Sequence, residues 1–288
     1  MASNSARIGR SALGSVTPAD GVAPISASRT DLARAALGGG TSLAVAPPWH
    51  RFARGALPGN FLHDQLEWLA GEGFALADSP ALQAQLQRRC ERAGWGRWAD
   101  DVSVWMTALV QTRLPPVGAA LQDLVTLLPE MEFWLPSDGL VASEVDALCR
   151  RHLLGGRARP ALPERLLHGM LMGFADLVFE HDGRYWVLDH KSNHLGEQDA
   201  DYSADALEAA MAAHRYDVQA ALYLLALHRL LRVRLGAAYD PARQLGGAVY
   251  FFLRGLHGPV AGCCHVAPPL ALLESLDQRL APPEAGAA

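Results

Sequence analysis

Lysine, cysteine and long apolar runs are all scarce in this sequence of 288 residues. Its longest apolar stretches, such as residues 220–227, are far shorter than the roughly 20 residues that a membrane-spanning helix needs. The four cysteines are too few for a disulfide scaffold, and two of them are adjacent, which disfavours simple pairing. The N-terminus also lacks the apolar core of a signal peptide. We therefore predict a protein of the reducing cytoplasm without a membrane segment.

An excess of positive charge is missing too, because the formal net charge is −5. No strong global field draws the chain to nucleic acid, so any such binding must be local or delivered by a partner. Hydrophobic residues make up 50% of the chain and charged residues 19%. This balance is typical of a folded domain with a sizeable core, and it excludes a fully disordered chain.

The shortage of lysine is extreme. Of the 25 basic residues, 24 are arginines, and Lys191 is the single lysine. A chain that uses arginine wherever a surface cation is sufficient retains lysine where a compact ammonium is required. Chance retention is the alternative. We predict that Lys191 has a functional role.

Composition divides the chain into a tail and a folded part. Residues 1–48 are rich in Ala, Ser, Gly and Pro and have no sustained apolar period, which predicts a flexible linker or tail. Residues 49–288 are predicted to fold, with a helical part at 49–128 and an α/β part at 129–288. A linker-like start suits a domain that is tethered to another protein part.

Apolar spacing and turn signals predict the elements of the folded part. In order, they are a helix starting at Phe61 and capped by Asn60, helices at 80–93, 100–113 and 117–127, a strand at 131–135, a helix at 143–153, a hairpin with its turn at Asp182-Gly183, one or two helices within 205–235, a strand at 247–253 and a helix at 269–280.

The predicted hairpin gathers charged side chains. Side chains alternate along a strand, so Asp189 and Lys191 point to one face and His190 to the other. Asp176 lies on the preceding strand and can face Asp189 across the pair. Two carboxylates suit a hard cation such as Mg²⁺ or Mn²⁺, beside which a lysine can position an attacking water and help to deprotonate it. A surface ion pair is the alternative, but Asp189 ends an apolar strand, where a charge needs a partner or an ion.

Three motifs, GFADLVF, LDHKSN and YDVQAALYLLAL, resemble those of the PD-(D/E)XK nuclease superfamily, and most closely its RecB-type nuclease domains. The family pattern falls on Asp176, on Asp189 with Lys191, and on Gln219 with Tyr223. The resemblance spans residues 51–255. It implies a restriction-endonuclease-like α/β core, in which helices flank a small mixed sheet, with an N-terminal helical subdomain.

The resemblance also implies roles for individual residues. RGALPGNFLHDQLE is similar to the family's helix with a metal-binding histidine, here His63, which would complete the metal ligands Asp176 and Asp189. Lys191 would be the catalytic lysine. Gln219 and Tyr223, one helical turn apart, would contact DNA or brace the site. Arg215 and Tyr216, just before them, are candidates for contacts with the DNA backbone.

Two positions differ from the family pattern or match it with two candidate residues. The family often takes a further acid from the first core strand, where Glu132 is the candidate and Glu130 competes with it. Many relatives have tyrosine where this chain has His190. The alternation of side chains predicts that His190 points away from the metal and tolerates substitution.

As a function, the resemblance implies a Mg²⁺-dependent deoxyribonuclease of the exodeoxyribonuclease V type, in double-strand-break repair, recombination and the degradation of linear DNA. Mn²⁺ is an expected substitute, and Ca²⁺ is expected to bind without supporting cleavage. The expected partners are DNA, RecC- and RecD-like subunits and a RecB-type helicase portion. The helicase portion is expected outside this chain, because a phosphate-binding loop needs a lysine after glycine and the single lysine here follows His190. A non-catalytic remnant or interaction module that docks on such subunits is the alternative, which the intact set of acids, lysine and histidine disfavours.

Overall fold

The computed structural model describes residues 6–8 and 46–280. The predicted tail at 1–48 therefore lies mostly outside the described residues. The helices are α1 (Pro48–Arg51), α2 (Ala56–Gly71), α3 (Pro80–Arg92), α4 (Ala99–Gln111), α5 (Ala142–His152), α6 (Ala204–Ala213), α7 (Tyr216–Leu235), α8 (Pro241–Gln244) and α9 (Leu270–Arg279). Among these helices, none combines the length and apolar character that crossing a membrane requires.

The strands of the described residues form one main sheet and two small ladders. They are β1 (Ala6–Ile8), β2 (Arg113–Leu114), β3 (Ala119–Ala120), β4 (Thr126–Pro136), β5 (Leu140–Val141), β6 (Leu166–Leu167), β7 (Met170–His181), β8 (Arg184–Lys191), β9 (Leu245–Phe252) and β10 (Cys263–Val266). The ladders pair β2 with β3 and β5 with β6.

The main sheet is mixed. The edge strand β4 runs antiparallel to β7, and β7 forms a hairpin with β8. β8 is parallel to β9, which pairs antiparallel with β10, while β1 adds in parallel to the start of β7. Helices pack against this sheet, so the predicted fold class, a small mixed sheet flanked by helices, is confirmed.

The hairpin of β7 and β8 follows directly from its turn residues. Asp182 and Gly183 both have positive φ, +51° and +71°, as a tight turn between twisted antiparallel strands requires. The Gly183 backbone N–H also donates to Glu180 Oε1 at 2.7 Å. The turn thereby fixes the register that pairs His181 with Arg184 and Leu177 with Leu188.

Two apolar cores lie on opposite faces of the sheet. On one face, Val187 and Phe252 pack with residues of α5, α6, α7 and α9. On the other face, Trp186, Leu188 and Phe251 pack with residues of α2, α3 and α4, which we call the helical layer. The first half of α7, residues 217–227, is buried around most of its circumference, and this half is apolar on most sides rather than on one stripe. The sheet is therefore covered on both faces.

Strand β7 changes faces in its middle. Ala175 and Leu177 are two residues apart and would share a face in a regular strand. However, Ala175 packs in the core on the α7 side, and Leu177 packs against the helical layer. The change falls at Asp176, and Glu130 on β4, at the corresponding place in the register, has a φ of +47°. The irregularity places Asp176 where the two cores meet.

Most predicted elements are confirmed, and one is wrong. The helices predicted at 80–93, 100–113, 143–153 and 269–280 are present, with ends that differ by no more than two residues. The helix predicted at 117–127 is replaced by β3, a short turn at Leu121–Asp123 and the start of β4. Pro115 and Pro116 supply no backbone donors, and Gly118 has a φ of +83°, so this stretch turns instead of continuing α4.

The first long helix begins earlier than the capping signal predicts. Helix α2 starts at Ala56, with Gly55 at its N-cap position, so Asn60 lies inside the helix. The predicted strand at 131–135 extends over Thr126–Pro136. The segment 205–235 contains two helices, α6 and α7, and the short strand β10 was not predicted.

Candidate metal centre and active site

The candidate site lies where the sheet meets α2 on one face and α7 on the other. His63 is on α2 in the helical layer, and Asp176 is at the face change of β7. Asp189 and Lys191 are the last charged residues of β8, and Gln219 and Tyr223 lie on α7. The predicted residues thus come from two strands and two helices that the fold packs together.

His63, Asp176 and His190 form a compact cluster. Asp176 Oδ2 lies 3.2 Å from His63 Nδ1 and 3.4 Å from His190 Nδ1. One potential ligand atom from each residue lies within 4.8 Å of the others. The backbone N–H of His190 donates to Asp176 Oδ2 at 2.8 Å, which fixes the carboxylate. The same three residues line a small cavity with Glu67 and Glu130. A carboxylate oxygen and imidazole nitrogens are suitable ligands for a divalent metal.

The prediction that His190 points away from the candidate metal ligands is wrong. His190 does lie on the face opposite Lys191, as alternation requires. That face, however, is the one on which α2 places His63. The His190 side chain is buried, and its ring lies edge-on to the His63 ring, with 6.0 Å between centroids. The position therefore belongs to the cluster.

Charge interactions hold Asp176 in its ionised form. Burial favours the neutral acid, but the charge of His63 and the hydrogen bond from His190 outweigh it, so the pKa of Asp176 lies well below its usual range. Burial likewise favours neutral His63, yet the Asp176 carboxylate outweighs this effect and raises the pKa of His63. The Asp176 carboxylate is thus already an anion, and the His63 nitrogen beside it can bind either a proton or a metal ion.

Asp189 and Lys191 form a buried ion pair on the α7 side. Lys191 Nζ lies 2.5 Å from Asp189 Oδ2 and donates to Gln219 Oε1 at 3.1 Å. It also lies 3.9 Å from the centroid of the Tyr216 ring. Burial lowers the pKa of Lys191, but the carboxylates of Asp189 and Asp176 outweigh this and raise the pKa overall. Lys191 is therefore held as an ammonium by contacts in several directions.

The charge of Asp176 acts on the pKa of Asp189. Burial raises the pKa of Asp189, Lys191 opposes the rise, and the charge of Asp176 adds to it. Two acids that repel each other are a favourable arrangement for a bound cation, which removes the repulsion. Asp189 does not belong to the cluster that His63, Asp176 and His190 form in the described residues, so its role as a metal ligand stays a prediction.

Gln219 and Tyr223 brace the site from α7. Gln219 Nε2 donates to the Tyr223 hydroxyl at 2.7 Å, while Gln219 Oε1 accepts from Lys191 and from the Tyr250 hydroxyl, the latter at 3.2 Å. Tyr250 was not predicted. It pairs with Asp189 in the parallel register of β8 and β9, which the sequence of either strand alone does not reveal.

Tyr216 and Arg215 occupy different surroundings. The Tyr216 hydroxyl donates to Asn193 Oδ1 at 3.3 Å, and its ring stacks on Tyr250 next to Lys191. Arg215 has a φ of +55° at the N-cap of α7 and donates to the carbonyl oxygens of Pro160 and Ala161. Tyr216 thus borders the site directly, whereas Arg215 holds the loop that precedes β6.

Glu132 lies outside the cluster. It is exposed, and its carboxylate accepts from Trp134 Nε1 at 3.0 Å. Glu130, the competing candidate, lines the cavity with Asp176 and His63 because the irregularity in β4 turns it from the regular pattern. Of the two candidates, the structure brings Glu130 and not Glu132 to this cavity, and an additional acid at the metal stays a prediction.

A buried arginine that the sequence did not single out organises the surroundings. Arg254 is 1% exposed, and its guanidinium donates to four backbone carbonyl oxygens, those of Trp49, Phe52, Ala53 and Ser192. These bonds join the segment before α2 to the residue that follows Lys191. In a chain with 24 arginines, composition gives no signal that one of them is structural.

A second buried arginine stabilises the α7 side. Arg159 donates from Nη1 to Asp146 Oδ1 at 2.5 Å and from Nη2 to Asp217 Oδ2 at 2.6 Å. All three side chains are almost completely buried. The triad connects α5, the loop before β6 and the first turn of α7, just before Gln219.

Comparison with known proteins identifies the family of this chain. The sequence profile of the PD-(D/E)XK nuclease superfamily matches residues 42–280, and the chain belongs to this superfamily. It is 41% identical over 238 residues to RecBCD enzyme subunit RecB of Escherichia coli (strain K12), covering 81% of this chain and 20% of that protein. The motif resemblance to RecB-type nuclease domains is thereby confirmed.

Two further relatives extend the similarity. RecBCD enzyme subunit RecB of Haemophilus influenzae is 36% identical over 189 residues, covering 62% of this chain and 15% of that protein. The protein of the same name from Mycobacterium tuberculosis is 33% identical over 282 residues, covering 84% of this chain and 25% of that protein. The chain thus spans about a fifth of the length of the curated relatives it matches.

Proposed function

We propose that this chain is a metal-dependent deoxyribonuclease that hydrolyses phosphodiester bonds at the site of His63, Asp176, Asp189 and Lys191. The observation that carries the proposal is the convergence of these residues from α2, β7 and β8, with a buried ammonium beside two neighbouring carboxylates. A non-catalytic remnant has no need to keep such a costly arrangement of buried charge. Membership of a nuclease superfamily supports the same conclusion.

His63, Asp176 and Asp189 would hold the metal, with Mg²⁺ as the proposed physiological ion and Mn²⁺ as a substitute. The two carboxylates offer the oxygen ligands that such ions prefer, and Asp176 is already ionised and fixed by the His190 backbone. When bound, the metal supplies a Lewis acid that stabilises charge on the scissile phosphate.

Lys191 would orient the reacting groups. Asp189, Gln219 and the Tyr216 ring fix its ammonium, so it can donate hydrogen bonds to the attacking water or to a phosphate oxygen. Water attacks phosphorus and releases one proton to solvent, the bond from phosphorus to the 3′-oxygen breaks, and the leaving oxygen takes a proton from solvent. The product then carries a 5′-phosphate.

The relatives suggest the biological setting. Each is named as a subunit of the RecBCD enzyme, and this chain spans only part of their length. We propose that it acts with RecC- and RecD-like subunits and a RecB-type helicase portion, as an exodeoxyribonuclease V type activity in double-strand-break repair, recombination and degradation of linear DNA. Four buried free cysteines are consistent with work in the cytoplasm.

A cleavage assay tests the proposal. The purified chain would be incubated with linear and circular single-stranded DNA and with linear duplex, with Mg²⁺ or with a chelator. We expect Mg²⁺-dependent cleavage of single-stranded DNA by the native chain and none by Asp176→Asn, which keeps the side-chain shape but removes the charge. Equal cleavage by the variant and the native chain would refute the site.

A further inference from the structure

We infer that the His190 side chain is an additional metal ligand, so that the centre binds its ion through two imidazoles as well as carboxylate. The consequence is a centre that discriminates in favour of transition-metal ions such as Co²⁺ over Mg²⁺ and Ca²⁺. The inference rests on the proposed function, because it concerns the metal centre of that function.

The distances around Asp176 carry the first step. His63 Nδ1 and His190 Nδ1 lie 3.2 and 3.4 Å from the same carboxylate oxygen. Ligands at about 2.1 Å from a common ion, in octahedral or tetrahedral directions, are about 3.0–3.4 Å from one another. The two nitrogens therefore already have the spacing from Asp176 Oδ2 that ligands of one metal ion have.

The burial of His190 carries the second step. Its side chain is 4% exposed, and within the described part of the chain its Nε2 has no hydrogen-bond partner. A buried histidine that only fills space normally has its ring nitrogens satisfied, because an unpaired buried polar atom is unfavourable. Here the polar neighbour of the ring is the Asp176 carboxylate. The contact of Nδ1 with Asp176 Oδ2, at 3.4 Å, is therefore the polar contact of this ring within the described residues, and it is made with a candidate metal ligand.

The position of Asp189 carries the third step. Asp189 lies on the opposite face of β8 from His190, where its carboxylate pairs with Lys191 at 2.5 Å. Of these two neighbours on β8, His190 is the one that shares a cluster with His63 and Asp176 in the described residues. The backbone N–H of His190 holds Asp176, so the ring stays beside the carboxylate without any rearrangement of β8.

Ligand chemistry then sets the preference. Mg²⁺ and Ca²⁺ are hard ions that favour oxygen ligands, whereas imidazole suits later transition metals. Affinity for a given mixed site rises from Mn²⁺ to Co²⁺ along the first-row series. A second imidazole therefore strengthens Co²⁺ binding far more than Mg²⁺ binding.

The test compares the metal affinities of the native chain and of the His190→Phe variant. Phenylalanine keeps a buried ring at this position, and the backbone N–H can still donate to Asp176. Calorimetric titration with Co²⁺ and with Mg²⁺ gives both dissociation constants, and the visible absorption of bound Co²⁺ reports its ligands. We expect His190→Phe to weaken Co²⁺ binding at least about tenfold and Mg²⁺ binding by less than about threefold, with altered Co²⁺ bands.

Controls separate this result from general damage. The exposed His168→Gln variant should leave both affinities unchanged, and Asp176→Asn should weaken both. Circular dichroism checks that His190→Phe is folded, and His190→Gln provides a second variant. An unchanged Co²⁺ affinity and an unchanged Co²⁺ spectrum in folded His190→Phe would overturn the inference. That result would not contradict the proposed Mg²⁺-dependent nuclease function. Absence of DNA cleavage by the native chain with any metal would instead refute the proposed function and leave the Co²⁺ comparison valid.

Discussion

The ammonium of Lys191 and the carboxylate of Asp189 are each other's counter-ion inside the protein. Their side chains are 11% and 4% exposed, and 2.5 Å separates Nζ from Oδ2. A buried pair of this kind contributes little net stability by itself, but loss of one partner leaves an uncompensated charge. The residues proposed to carry the chemistry are thus also linked to the stability of the fold.

Asp189→Ala should therefore abolish cleavage and also destabilise the metal-free protein. Removal of the carboxylate relieves repulsion with Asp176, but it leaves Lys191 buried without its nearest anion, and the second effect is larger. We expect a loss of about 3 kcal/mol in the free energy of unfolding, measured by urea denaturation in a chelator. The double variant Asp189→Ala with Lys191→Met should lose less than the sum of the single variants. Additive losses would show that the pair is not coupled.

Lys191→Arg should lose at least about 100-fold in cleavage rate while metal binding persists. Arginine keeps the charge, but its wider planar group does not fit between Asp189, Gln219 and the Tyr216 ring. A misplacement of about 1 Å is sufficient for a loss of this size. Single-turnover cleavage at saturating Mg²⁺ measures the effect, and the exposed reverse change Arg150→Lys is the control. Near-native cleavage by Lys191→Arg would assign the lysine a purely electrostatic role.

Gln219→Leu tests the bracing of the lysine. Leucine fills a similar volume but accepts no hydrogen bond from Lys191 or Tyr250. We expect kcat to fall by about 10- to 100-fold, with KM almost unchanged, because the ammonium loses its orientation rather than its charge. The exposed Gln122→Leu should leave both constants unchanged. A rise in KM with native kcat would instead indicate that Gln219 contacts DNA.

Arg254→Leu should destabilise the segment before α2. The substitution leaves backbone carbonyls of Trp49, Phe52, Ala53 and Ser192 without their donor, and each unsatisfied buried carbonyl costs about 1–3 kcal/mol. Hydrogen exchange should accelerate first in residues 49–56, and the exposed Arg243→Leu should show no such change. Native exchange rates in that segment would show that α1 is held by other contacts.

The cysteines should be inert in the native protein. Burial raises the pKa of Cys149, Cys263 and Cys264 to about 12, so their reactive thiolates are almost absent at pH 8. Because these folded-state pKa values lie above the unfolded value near 9.0, the corresponding stability is complete below pH 9 and is lost as the pH rises toward 12. Thiol labelling at pH 8 should be slow without denaturant and fast in it, and the unfolding free energy should be lower at pH 10 than at pH 8. Rapid labelling of the native chain would contradict the burial.

The sequence was sufficient to predict the hairpin and its charged residues. The Asp182-Gly183 turn sets the register, and alternation then places Asp189 and Lys191 on one face. The environment of His190 could not be predicted in the same way. Alternation shows that its side chain leaves by the other face, but not that a distant helix places His63 on that face.

Non-local pairing explains most of the remaining differences. The face change at Asp176 depends on an irregularity shared by β4 and β7, which no pattern within β7 reveals. Tyr250 reaches Gln219 only because β9 lies parallel to β8. Motif resemblance supplied His63, Gln219 and Tyr223, which spacing alone does not distinguish from ordinary core residues.

The division of the candidate site between two cores has a consequence for folding. His63 belongs to a helix whose apolar residues pack in the helical layer, while the side chains of Asp189 and Lys191 lie on the face of β8 that α7 covers. Neither half alone contains the metal cluster, so the cluster forms only after the helical layer has docked on the sheet. A partly folded chain, whether newly synthesised or damaged, would therefore lack a competent centre, and DNA would be exposed to cleavage only by molecules that have completed assembly.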